Sequence, residues 1–285
     1  MLGRHPVGIY EKAFDPRISW KERLDRVARL GMDYIEISID ETDERLSRLD
    51  WDKGQKKELL DLMWSSGIPI RSMCLSAHRR FPFGSHDPES RNRAKDIMEK
   101  AIDFAGELGI RVIQLAGYDV YYENSTGESV QRFTEGMQWA AERAASAQVM
   151  LGMEIMDTPF MNSITKHMRY EENIHSPWYR VYPDLGNLSA WSENDPEAEL
   201  NLGIGSIVAI HLKDTIPPRA DFPGKFKCVP FGQGCVDFPA RFRQLEKLGY
   251  TGPYMIEMWY QDGTDDVTEI AKAAKWLDDQ YEKRI

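Results

Sequence analysis

Two periodicities divide the chain between them. Short apolar runs occupy 6–10 (PVGIY), 33–39 (DYIEISI), 69–75 (PIRSMCL), 111–116 (RVIQLA), 149–155, 178–184, 206–212 and 254–259, and each has the length and composition of a buried strand. Between them, stretches such as WKERLDRVARLG, KGQKKELLDLMWSSG and RNRAKDIMEKAIDFAGELG place apolar residues at i, i+3, i+4 and i+7 and close on the glycine expected past a helix end. Several helices enter the next strand through one phrase, as in LGMDYIEI, SGIPIRSM, LGIRVIQL and LGYTGPYMIE, so a single structural unit recurs. Repeated strand–helix units with no Pro/Gly/Ser-rich linker predict an α/β fold in which residues 1–285 form a single (β/α)8 TIM barrel. A doubly wound sheet would want a glycine-rich phosphate loop after its first strand, where YEKAFDPRISW has none.

The segments after the strands are longer than those before them. Segments 76–88, 117–126 and 215–236 all fall at strand C-termini, the face on which barrel enzymes carry their chemistry. At the ends of four successive apolar runs stand Glu154 (VMLGMEIMD), Asp184 (WYRVYPDLGN), His211 (SIVAIHLKD) and Glu257 (GPYMIEMWY). Side chains two apart on a strand share a face, so Gly152 and Met156 go with Glu154, Tyr182 with Asp184, Lys213 with His211 and Trp259 with Glu257. In the helix layer the ionisable groups would lose hydration without partners; at the barrel mouth they would not. Three carboxylates and one imidazole converging there make an oxygen-rich site for one divalent cation. Taken singly, Asp184 has a plainer reading as a turn cap, Glu154 as half of an ion pair and His211 as a satisfied core residue. Their joint occurrence on consecutive strands favours the site.

Composition narrows the partners. The net charge of -10 opposes a nucleic-acid backbone, and no basic patch offsets it. The start, MLGRHPVGIYEK, lacks the apolar stretch of a signal peptide, and no segment approaches the roughly 18 apolar residues of a membrane span, so a cytoplasmic protein is expected. Cys74, Cys228 and Cys235 lack metal or disulfide spacing and read as reduced packing or loop residues. Trp20, Trp51, Trp64 and Trp139 fall in helical patterns and are expected to pack barrel against helices. Trp191 and Trp259 are expected near the site, and His167 and His175 on the surface.

The segments EIMD, PDLGNLSAW, HLKDT and YMIEMW, with MCLSAHRRFPFGS and RVIQLAGYDVYY, resemble the xylose-isomerase-like barrels and, within them, the L-ribulose-5-phosphate 3-epimerases, nearly end to end. That family interconverts L-xylulose 5-phosphate and L-ribulose 5-phosphate in L-ascorbate utilisation. The resemblance implies that Glu154, Asp184, His211 and Glu257 hold one divalent metal, zinc or manganese ahead of cobalt or magnesium, with Glu154 and Glu257 doubling as acid and base. Inverting a carbon beside a ketone requires loss and return of its proton, which suits two carboxyl groups flanking a planar intermediate.

A ketopentose phosphate as the small-molecule partner also needs an anion site. Lys225, Lys227 and the backbone of Gly232 and Gly234 in the loop after the seventh strand are one candidate, and Arg79 and Arg80 are another. Solvated loop charges are the plainer reading of all four side chains. Lys213, His78, Glu11 and Trp259 are further candidates for substrate contact. Another metal-dependent isomerase, ketose epimerase or inosose dehydratase is the nearest rival. A repair endonuclease would want more histidines, and a non-catalytic sugar-binding barrel would be expected to lack one of the glutamates. Exposed helix faces leave a homodimer open.

Overall fold

Eight runs of mainly β-branched, aromatic and long apolar residues become the strands of one parallel sheet in the computed structural model, which describes residues 1–285. They are β1 Val7–Tyr10, β2 Tyr34–Ile39, β3 Ile70–Leu75, β4 Val112–Leu115, β5 Met150–Glu154, β6 Tyr179–Tyr182, β7 Ile210–Leu212 and β8 Tyr254–Ile256. Each lies within an expected run. Neighbours pair in sequence order from β1 to β6, and β8 joins β1 to β7. Only the β6–β7 seam lacks a regular ladder. The expected seventh run, 206–212, is strand only from Ile210, and its first half meets β6 through an isolated bridge between Val181 and Ile207. A second bridge joins Asp184 to His211, and the two together nearly close the barrel.

The helices are α1 Trp20–Arg29, α2 Asp43–Leu46, α3 Lys53–Ser66, α4 Pro88–Leu108, α5 Gly127–Ala147, α6 Ile164–Ile174, α7 Leu185–Ala190, α8 Pro196–Gly203, α9 Phe238–Lys247 and α10 Asp266–Glu282. Each begins behind a Ser, Thr or Asp whose side chain accepts a first-turn N–H, including Ser19, Asp87, Thr126 and Asp265. Gly67 and Gly109 end α3 and α4 in the left-handed conformation, φ 72° and 73°, which favours glycine.

Two cores result from strand alternation. Outward residues such as Ile9, Ile35, Ile37, Ile113 and Leu151 join the helices in one large apolar cluster. Inward residues Tyr10, Tyr34, Cys74, Tyr182, Ala209 and Met255 fill the barrel itself. Gly8 makes room for them, because a Cβ there would lie 2.4 Å from the Tyr34 ring. Trp51 meets Phe104 and Trp139 meets Phe83, as expected of packing residues. Trp64 does not: it is 90% exposed, since it lies five residues after buried Leu59 and points away from the barrel. His167 also departs from expectation. Three residues after buried Ile164, it faces inward, fully buried against Tyr179. The three cysteines are free.

Candidate metal centre at the barrel mouth

The inward rows of β5 and β8, the seam and its following turn bring Glu154, Asp184, His211 and Glu257 together, all buried. One donor atom from each lies within 4.8 Å of the other three. Donors bound to one ion at about 2.0–2.2 Å lie at most about 4.4 Å apart, so small side-chain rotations suffice to gather them. His211 Nδ1 stands 3.4 Å from Glu154 Oε1, 3.7 Å from Glu257 Oε2 and 3.9 Å from Asp184 Oδ2.

Each side chain is held from behind. The amide of Gln114 on β4 donates to Glu154 Oε2, and the backbone N–H of Asn187 donates to Asp184 Oδ1 at 2.6 Å as Asp184 caps α7. His211 Nε2 donates to Glu36 Oε1 at 3.2 Å, and the Tyr182 hydroxyl donates to the other oxygen of Glu36. With Nε2 engaged by Glu36, Nδ1 is the nitrogen that faces the three carboxylates and would offer its lone pair to an ion. His211 Nδ1, Asp184 Oδ2 and Glu257 Oε2 are buried without hydrogen-bond partners. Carboxylates crowded together at this depth are costly unless positive charge lies among them. The donor set fits a divalent ion.

Lys213 Nζ lies 3.2 Å from both Asp184 and Glu257, one ammonium against four carboxyl groups once Glu36 is included. Burial and the neighbouring carboxylates Glu257 and Glu154 push the Asp184 carboxyl up to about 8, against the pull of Lys213. Burial raises Glu154 as well, aided by Glu257 and opposed by His211. Glu257 goes the other way: burial opposes its ionisation, but Lys213 and His211 bring it down to about 2. Burial works against a charged His211, yet Glu257 and Glu36 raise it well above the usual imidazole range.

A narrow cleft opens from these groups to the surface. Tyr10, Lys12, Ser76, Arg79, Asn187, Lys213, Lys227 and Trp259 line it with Glu154 and Glu257. Lys213 and Lys227 each approach the Trp259 ring at 5.8 Å. Lys225 lines a larger adjoining cavity with Trp259 and Glu257. Trp191 instead meets Phe226 outside the lining of the cleft.

Other expected site residues lie elsewhere. Glu11 is buried in a cluster with Arg48 at 2.8 Å, Arg45 at 3.2 Å and the Ser38 N–H, so its carboxylate braces β1 and β2 and is not part of the cleft lining. His78 turns into the helix layer, where its Nε2 reaches the Ala94 carbonyl at 3.1 Å; burial lowers it to about 4. Arg80 lies outside with Asp43 at 2.7 Å. Gly232 and Gly234 do form an anion cradle, but their N–H groups both donate at 2.9 Å to Asp214 Oδ2. The chain's own carboxylate occupies the place expected for phosphate, and a Cβ at residue 234 would strike it at 2.1 Å.

Comparison with known proteins places this geometry. Residues 24–280 match the family model described as "Xylose isomerase-like TIM barrel". The L-ribulose-5-phosphate 3-epimerase UlaE of Escherichia coli O157:H7 is 53% identical over 272 residues, covering 95% of this chain and 93% of that one. SgbU of Escherichia coli (strain K12), whose name assigns it the same activity provisionally, is 56% identical over 277 residues, 97% of this chain and 96% of its own. Among solved structures, a D-allulose 3-epimerase from Methylomonas sp. in complex with D-allulose superposes with a TM-score of 0.78 at 19% identity, covering 98% of each chain; that likeness is one of fold.

Proposed function

The chain belongs to the xylose isomerase-like TIM barrels and, within them, to the L-ribulose-5-phosphate 3-epimerases, and from that premise we propose that it inverts C3 of a ketopentose 5-phosphate, interconverting L-ribulose 5-phosphate and L-xylulose 5-phosphate. The observation that carries this reading is the buried four-donor set of Glu154, Asp184, His211 and Glu257, whose two glutamates both line the cleft. Epimerisation needs one ionised carboxylate to take the C3 proton and one carboxylic acid to return a proton to the other face. Glu154 and Glu257 end strands three positions apart around the barrel and so approach the cleft from different sides. Gln114 orients the first and Lys213 the second, and their roles exchange in the reverse direction. When bound by Glu154, Asp184, His211 and Glu257, a divalent cation supplies positive charge where negative charge develops on substrate oxygen.

Proton NMR of L-xylulose 5-phosphate in deuterated water, with and without a chelator, tests the proposal. Deuterium entering only at C3, with chelator abolishing the exchange, is the expected result. Exchange at C1 with aldose formation would instead make the enzyme an aldose–ketose isomerase, and turnover of an inosose with loss of water a dehydratase. A catalytic unit spanning residues 1–285, a cytoplasmic location, a homodimer, and zinc or manganese as the bound metal belong to the same proposal. Elemental analysis and light scattering of the purified protein read the last two directly. No helix is long and apolar enough to cross a membrane.

A further inference from the structure

The segment between β7 and α9 is the longest connection in the barrel, and a chain of that length holds one shape only where something ties it. A single side chain ties both its ends. Buried Asp214 accepts the N–H groups of Thr215 at 3.0 Å and Val236 at 3.3 Å on Oδ1, and those of Gly232 and Gly234 at 2.9 Å on Oδ2. The Cys235 N–H adds a bond to the Thr215 carbonyl at 2.9 Å. An ionised carboxylate has about four acceptor sites, and backbone donors fill those of Asp214.

Inside the tie the loop is braced along its length. Ile216 and Lys225 exchange backbone hydrogen bonds at 3.0 and 2.9 Å, Phe226 packs on Trp191 with ring centres 5.8 Å apart, and Phe231 stacks on Trp276 at 5.9 Å. What this frame presents to the cleft is Lys227. Its residue is exposed, yet it lines the cleft beside Glu154 and Glu257, with Nζ 5.8 Å from the centre of the Trp259 ring. A lysine stem is flexible, so an ammonium held over a cleft depends on a fixed root. Lys213, which pairs with Asp184 and Glu257, is the residue next to the knot, so the loop is fastened directly beside the metal centre.

We propose that Asp214 is a positioning residue: by knotting the two ends of segment 215–236 it delivers Lys227 to the cleft, where the ammonium closes over bound substrate. This inference rests on the epimerase reading above. The test is a double-mutant cycle for L-xylulose 5-phosphate on the metal-loaded enzyme with Asp214→Asn, Lys227→Met and the two combined. An asparagine amide would turn N–H groups toward backbone donors and undo part of the knot. Each single variant should raise KM by about tenfold or more with kcat within about threefold, and the combined variant should stay within about twofold of the worse single one, since the second change removes what the first has already displaced. Hydrogen exchange over 215–236, read by mass spectrometry, should quicken in Asp214→Asn and not in Lys227→Met, while the rise in unfolding temperature on adding manganese should persist in all three. Losses that multiply in the combined variant, a fall in kcat alone, an unchanged exchange rate in Asp214→Asn or a lost manganese response would overturn the assignment. If Asp214→Asn does not fold, Gly234→Ala replaces it, because a Cβ there would lie 2.1 Å from Asp214 Oδ1 and must push the N–H away, with the same results expected. Lys227→Met changes an exposed position, and an unchanged KM in it alone refutes the delivery. Should the wild type turn over no ketopentose phosphate, the epimerase reading fails and the cycle is read instead from the Kd of a pentitol 5-phosphate by calorimetry. Non-additive losses there still support the role of Asp214, whereas multiplied losses or no binding to the wild type refute it.

Discussion

Two fully enclosed imidazoles, each beside a glutamate, behave in opposite ways. His167 lies on α6 near the opposite end of the barrel from the metal centre, and its Nε2 meets Glu171 at 3.1 Å. That glutamate also accepts from Arg180 and Ser206, so its charge is met, and burial keeps His167 below the ordinary imidazole range. His211 has a comparable contact with Glu36, but three more carboxylates crowd its Nδ1, and against the effect of burial Glu257, Glu36 and Glu154 raise it well above the ordinary imidazole range. A buried His–Glu contact is thus scaffold where the surrounding charges close and a site where they leave negative charge over. The local charge balance separates the two cases, and residue type does not.

The comparison breaks most sharply at the glutamates. Glu154→Gln or Glu257→Gln should slow exchange of the C3 proton by about a thousandfold or more with circular dichroism unchanged, whereas His167→Gln should stay within about threefold of wild type. Near-normal exchange in either glutamate variant would refute the two-carboxyl mechanism. Asp184→Asn should also lose the rise in unfolding temperature that added manganese or zinc gives the wild type, a shift readable by calorimetry without substrate.

A second test concerns scaffold histidines and pH. Unfolded His78 takes up a proton near pH 6.5, but burial in the fold delays this to about 4. Between those values the unfolded chain binds the extra proton, so stability falls as the pH drops through the window and recovers as it rises. Urea titrations of His78→Leu should show a weaker slope there, by on the order of 3 kcal/mol across the full window. A slope equal to that of the wild type would mean that His78 is not the buried neutral group described here. Glu36→Gln, which leaves His211 without its charged partner, should cost about 10–100-fold in metal affinity, measured by competition with a chelating dye. Smallest of all, Trp64→Ser should shift stability by no more than about 0.5 kcal/mol, as expected for a side chain that touches little.

Much of this was legible because strand and helix write different periods. The positions of all eight strands and of Glu154, Asp184, His211 and Glu257 follow from apolar runs and their ends. Glu36 and Gln114 were missed, although YIEISI and VIQL carry the same signal as the run around Glu257: a polar group between apolar neighbours. They lie inside a strand and not at its end, so only the inward alternation reveals them. The glycine cradle was recognised as a shape but assigned the wrong guest, because pairing between residues 18 to 20 apart leaves no periodic trace. Trp64 and His167 were misplaced for want of helical phase, which Leu59 and Ile164 would have supplied.

The unfinished seam between β6 and β7 gives the mouth a second meaning. There the hydrogen bonds run from Val181 to the Ser206 carbonyl, from Val208 to that of Val181 and from His211 to that of Pro183, three stitches in place of a continuous hem. Two of the residues that would grasp the ion, Asp184 and His211, are the last of those stitches. An ion shared by both acts as a clasp across the join, so loading the centre fastens the whole cylinder, and amide hydrogens along this line should be the first to exchange when it is stripped.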